Sequence, residues 1–152
     1  MKNEVKIREC QKKDIPHIYV LWEKLVENER ERNVYYEKDE WPTISSNDMK
    51  KHFSNCFNSG DNFWIFVAEY KNKILGYSEL WSCKIDDFSL LKNYAYINNI
   101  FIDKSIKVNV NPLNLFFKLI QACKNKAKEK KCDYIGGNVF EFNTQMKTLL
   151  KL

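Results

Sequence analysis

The segment Tyr94-Ala95-Tyr96-Ile97-Asn98-Asn99-Ile100-Phe101-Ile102 and the later Cys132-Asp133-Tyr134-Ile135-Gly136-Gly137-Asn138-Val139 decide the architecture. Each reads as a strand. Between them Leu115, Phe116, Leu119, Ile120, Cys123 and Ala127 recur at steps of three and four. That spacing predicts a long helix running to about Lys131, after a linking loop over 103–114. Lys118, Lys124, Lys126, Lys128, Lys130 and Lys131 fall mostly off the apolar stripe, as a solvated face does. Strand, helix and strand in that order make a parallel pair. Such a unit opens a crevice at the strand ends and aims a helix N-terminus into it, which suits an anion.

Working back from there, Phe63–Tyr70 is a strongly apolar strand, Lys71-Asn72-Lys73 a short turn, and Ile74–Trp81 the returning arm of a hairpin. Val5–Cys10 alternates apolar and polar residues, as a strand with one buried face does. Asp14 stands where an N-cap belongs, with Pro16 in the first turn. Ile15, Ile18, Tyr19, Trp22, Leu25 and Val26 then predict a helix from 15 to about 30. Ser45, Ser46 or Asn47 opens a short helix that carries Met49, His52, Phe53, Cys56 and Phe57, and Asn58–Asn62 ends it. Asn143 caps a final helix through Met146, Leu149 and Leu150. Residues 33–44 have no clean period. The fold expected is α/β (an α+β mixed sheet): an antiparallel meander followed by a parallel strand–helix–strand unit, one domain over 1–152.

Composition narrows the function. The 152 residues carry a net charge of +5, a mild lean toward anionic partners. With 44% hydrophobic residues the chain buries a core and is not disordered by composition. No apolar run is long enough for a membrane span, and the start lacks an apolar leader, so a cytoplasmic protein without a membrane partner is expected. Five cysteines at wide spacings, without a C-x-x-C pair and with only two histidines, predict no metal site. They read as buried thiols in a reducing compartment. No cysteine is read as within reach of a histidine, so reactive-thiol chemistry is not expected; His17 and His52 read as helix-surface residues. The six helix lysines come without arginine or interleaved aromatics, so no nucleic-acid partner is expected.

The order of these elements resembles the GNAT family of N-acetyltransferases over nearly the whole chain. Ile7-Arg8 with Asp14-Ile15 looks like the family's first strand and helix start. Phe66–Tyr77 looks like its second hairpin, and Ile100-Phe101-Ile102-Asp103 like the end of its fourth strand. Ala127–Ile135 resembles the end of its third helix and its fifth strand, and Asn138–Asn143 the entry to its last helix. Five such segments in order and spacing carry the resemblance.

The resemblance implies acetyl-CoA as co-substrate and acyl transfer to a primary amine of a small molecule or a protein N-terminus. It places pantetheine on backbone groups near Phe101 and Ile102, and Asn143 against the cofactor. It implies a phosphate loop of pattern Gln/Arg-x-x-Gly-x-Gly/Ala. Counting from Asp103 puts Lys107-Val108-Asn109-Val110-Asn111-Pro112 there; counting back from Lys131 puts Asn111–Phe116 there. The first needs no gap and keeps a cation, Lys107. Neither holds a glycine.

Other positions depart from the family pattern. Asn98-Asn99 stand where many members carry an acidic base, so Glu79 on the neighbouring strand is the substitute. Leu150 falls at the place of the family's proton-donating tyrosine. The family continues with two further strands, so this chain is expected to lack them and to expose the 132–139 edge to a second copy. Residues 33–44 and 84–93 would line the acceptor side, where Tyr35, Tyr36 and Trp41 beside Glu37, Asp39 and Glu40 suit a cationic amine. The alternative reading is a catalytically lapsed binding or structural module on the same fold.

Overall fold

In a computed structural model the described residues are 4–32, 45–58, 60, 62–84, 93–105, 109–138 and 148. Five strands form one sheet in the order β1 (Lys6–Glu9), β2 (Phe63–Tyr70), β3 (Lys73–Lys84), β4 (Asn93–Ile102), β5 (Tyr134–Gly137). The first three pairings are antiparallel and β4–β5 is parallel, so the expected mixed sheet is present. Helices α1 (Ile15–Arg32) and α2 (Ser46–Asn58) pack on one face, and α3 (Pro112–Glu129) on the other. Of the last helix expected from Asn143 only Thr148 is described, and it is helical; the stretches 33–44 and 85–92 lie outside the described residues.

The sheet is buried on both faces. On β2, Phe63, Ile65 and Val67 join α1 and α2, while Phe66 and Ala68 join α3. That double burial is why β2 reads as an unbroken apolar run. Strand β5 is shorter than the 132–139 span expected. Its two glycines lie close against β4, where a Cβ on Gly137 would stand 2.9 Å from the Ile97 carbonyl oxygen.

Several local expectations shift. The β2–β3 turn is two residues, Lys71 and Asn72, both at positive φ, and Lys73 already belongs to β3. Asp14 does not cap α1. It closes a short 3-10 turn, Lys12–Asp14, and its carboxylate turns back to accept from the Gln11 N–H and from Arg8. A guanidinium in reach competes better for a carboxylate than a helix N–H does. Ser45 is the residue that caps α2, accepting from the Asp48 N–H at 3.1 Å. Helix α3 starts at Pro112, because Asn111 caps it, and ends at Glu129, with Lys131 in the left-handed conformation just beyond. Lys126 is not on the solvated face. It is half-buried, pairs with Glu9 at 2.6 Å and Glu129 at 3.1 Å, and lies over the Trp64 ring.

Candidate active site

The site begins with an extra residue in β4. Glu79 stands opposite Asn99 and Leu80 opposite Ile97, so Asn98 is a bulge. The bulge brings two consecutive amides onto one carboxylate. Asn98 donates to Glu79 Oε2 at 2.9 Å and Asn99 donates to Oε1 at 3.1 Å. Pairing of β4 with β5 runs from Tyr94↔Tyr134 to Ile97↔Gly137 and stops where the bulge begins. Beyond that point the outer edge of β4 has no strand beside it among the described residues.

That edge borders a cleft of about 1070 Å³ between the second half of α1, the end of β4 and the start of α3. Phe101 and Ile102 line it, as do Asn111, Pro112 and Phe116. Lys24 of α1 reaches across to pair with Asp103, and Ser105 donates to the same carboxylate through its N–H at 2.9 Å and its hydroxyl at 2.6 Å. Burial works against the Asp103 charge, but these donors hold its carboxyl below the usual range. The turn that leaves β4 is thereby tied to α1. Gly76 makes the close approach possible, since a Cβ there would stand 2.6 Å from the Phe101 carbonyl oxygen.

No family model and no curated protein matches the sequence. Solved structures do. An aminoglycoside N-acetyltransferase in complex with CoA is 14% identical, covers 99% of this chain and 87% of its own, and superposes with a TM-score of 0.76. A predicted acetyltransferase with acetyl-CoA from Clostridium acetobutylicum is 16% identical over 98% and 90% of the two chains, with a TM-score of 0.73. An aminoglycoside acetyltransferase from an uncultured soil metagenomic sample, in complex with sisomicin, is 21% identical over 97% and 85%, with a TM-score of 0.67. The chain has the GNAT acetyltransferase fold.

Within this GNAT fold Glu79 is 0% exposed. Burial pushes its carboxyl up, and the two amides only partly offset that. Two residues earlier on β3, Tyr77 is also 0% exposed, and its hydroxyl has no hydrogen-bond partner among the described residues. Burial and the Glu79 charge hold the tyrosine proton tightly. From α2, burial and then Glu79 push the Cys56 thiol up to about 11.

Cys56 also overturns an expectation. Its Sγ is 3.6 Å from both ring nitrogens of His52, one helical turn earlier. The i, i+4 spacing was present in the sequence and was the signal for this contact. His52 is half-buried among Phe53, Phe63 and Trp81 rather than on the helix surface, and burial lowers its pKa. The pair is not a nucleophile, because a thiol at about 11 stays protonated at neutral pH.

The residues singled out for the cofactor divide into groups. Phe101, Ile102 and Asn111 line the cleft. Val110 packs into the α3-side core and Asn109 is exposed. Lys107, Val108 and Asn143, and Leu150 with them, lie outside the described residues. The start of α3 has few free donors. Pro112 has no N–H, and the Leu113 N–H is taken by the Asn111 side chain at 2.9 Å. No group of three or more metal-ligating side chains occurs among the described residues, and no helix there is long and apolar enough to cross a membrane.

Proposed function

We propose that the chain is an acetyl-CoA-dependent N-acetyltransferase that acts on the primary amine of a small molecule or a protein N-terminus. The observation that carries this is the break in β4–β5 pairing at the Asn98 bulge, open to the cleft that Phe101 and Ile102 line. Unpaired strand backbone suits the amide-rich pantetheine arm, and a cleft of about 1070 Å³ has room for the rest of CoA. When bound, acetyl-CoA supplies the activated acetyl group. The chain supplies position, backbone N–H groups near Phe101 and Ile102 to polarise the carbonyl, and Glu79 as base. A carboxyl raised by burial is nearer the working range of a general base than an exposed one. The sisomicin-bound neighbour supports a small polar amine as acceptor. Tyr134, 52% exposed on the β5 edge, is where a second copy would add; a monomer by light scattering would remove that part of the reading.

A second reading, a module that has lost catalysis, is favoured by the capped start of α3, which leaves a phosphate fewer N–H donors. Calorimetric titration with acetyl-CoA, followed by thiol release over a panel of amines, separates the two. The enzyme reading expects saturable binding and amine-dependent CoA release. Binding without turnover favours the module, and no heat at millimolar cofactor sinks the acetyltransferase.

A further inference from the structure

A row of aromatic rings crosses β3, β4 and β5 beside Glu79 and ends in solvent. Ala95, Ile97 and Ile135 face α3, so Tyr94, Tyr96, Tyr134 and Gly136 face the other way, on the side of α1 and α2. Trp81 shares that face from β3, opposite Tyr96 and two residues after Glu79. The Tyr94 and Tyr134 rings are stacked, with centroids 5.3 Å apart and planes at 11°, and Tyr96 lies 6.1 Å from Tyr94. Both stacked rings lean along the strands toward the Asn98 bulge. A Cβ on Gly136 would stand 2.9 Å from Tyr134 Cε1 and 3.1 Å from the Tyr94 hydroxyl oxygen, so the glycine leaves the space they occupy.

Helix α2 covers the β3 end of the row, where His52 lies 5.9 Å from Trp81. At the β5 end Tyr134 is 52% exposed. Elsewhere in the molecule lysines cover aromatic rings: Lys50 lies over Tyr19, Lys71 over Tyr70, and Lys126 and Lys130 over Trp64, at 5.1 to 5.8 Å. Among the described residues no lysine or arginine lies over Trp81, Tyr94, Tyr96 or Tyr134. In a chain with 25 lysines and arginines, this electron-rich surface is left without a cation of its own. It is also continuous with Glu79. Tyr96 stands two residues before Asn98 and Tyr94 four, about 7 Å and about 13 Å along the strand.

We propose that Tyr94, Tyr96 and Tyr134 select the acceptor, and that it is an amine carrying a second positive charge about 7–13 Å from the reacting nitrogen. The inference rests on the acetyltransferase reading and names its acceptor class. The nitrogen that attacks has given up its proton, so the charge held on the rings belongs to another group of the same molecule. An ammonium over a ring is attracted by the negative ring face, and the phenol oxygens accept from its N–H bonds. A second copy adding to the β5 edge would pair backbone groups and leave this face open.

Acetylation of 1,8-diaminooctane and of 8-amino-1-octanol, the same chain with a neutral end, tests it, together with NMR of the tyrosine rings during titration with each. The expected result is a KM about tenfold lower for the diamine, and shifts of the Tyr94 and Tyr134 rings with the diamine alone. Tyr134→Leu loses that preference, and Tyr134→Phe, which keeps the ring face, retains it. A merely structural role would move both substrates together. Gly136→Ala displaces the rings and weakens the preference as well. Equal KM values in the wild type, a preference that survives Tyr134→Leu, or transfer to other amines but not to the diamine overturns the proposal. Should the wild type acetylate no amine, the acetyltransferase reading fails. The NMR titration then decides the cation surface by itself, and rings that respond alike to both compounds overturn it.

Discussion

Asp14 and Glu79 are both buried carboxylates, 3% and 0% exposed, and their surroundings push them in opposite directions. Asp14 faces a guanidinium. Arg8 holds it at 2.6 Å and 3.1 Å, and also binds Glu69 at 2.5 Å, so the Asp14 carboxyl sits below its usual range despite burial. Glu79 faces two neutral amides, which satisfy its oxygens without supplying a charge, and its carboxyl sits above the usual range. The first arrangement keeps a charge permanently and ties β1 and β2 to the turn before α1. The second holds a carboxyl whose proton leaves less readily than usual, beside the opening in the sheet. Opposed environments of this kind separate structural carboxylates from reactive ones.

The largest expected effect tests the reactive half. Glu79→Gln should lower turnover by about 10²–10⁴-fold, the usual contribution of a general base, while calorimetry finds acetyl-CoA affinity unchanged. Full activity in that variant would make Glu79 a packing residue. The structural half is tested by Asp14→Asn. Removing one partner of a buried ion pair should cost about 3–5 kcal/mol, read from urea unfolding. Glu79→Gln should cost less, since the group it replaces is held by neutral amides and by no ion pair among the described residues. If the two variants lose stability alike, the contrast between the carboxylates is wrong. Gly76→Ala is smaller. Its Cβ would press on the Phe101 carbonyl, and overpacking of that kind costs about 1–3 kcal/mol. The strand shift should also weaken acetyl-CoA binding, and unchanged affinity would detach this contact from the cleft.

The strand order, the crossover helix and the apolar faces were legible because each element carries its own period: Leu115, Leu119 and Cys123 on α3, and the doubly buried run of β2. Glu79 was legible as a carboxylate on the strand beside Asn98-Asn99. That both amides would close on it was not, because it depends on one residue of slip between two strands, which no periodicity records. The Asp14 cap failed for a similar reason. A local signal was outbid by Arg8, six residues earlier in sequence but adjacent once β1 leads into the turn. The Cys56–His52 contact needed only the helical spacing. The orphan Tyr77 hydroxyl had no sequence signal, since a strand tyrosine with its ring in the core looks the same whether or not its oxygen is paired.

The smallest effect is also the one that sets the two carboxylates against each other most directly. Between the lowered folded value of Asp14 and its ordinary value, the unfolded chain binds more protons than the folded one. Stability therefore rises with pH through that window, and the ion pair's contribution is lost on acidification. For Glu79 the sign reverses. Between the ordinary value and its raised folded value, the folded chain binds more protons, so stability falls as pH rises and the penalty is complete above the folded value. Each unit of displacement is worth about 1.4 kcal/mol. Urea midpoints measured from about pH 3 to pH 8 should show Asp14→Asn losing the acid slope of the wild type. Glu79→Gln should instead gain on the wild type as pH rises through the Glu79 window. A constant offset between Glu79→Gln and the wild type across that range would mean that Glu79 titrates alike in the folded and unfolded chains, which two amides in a buried site do not allow.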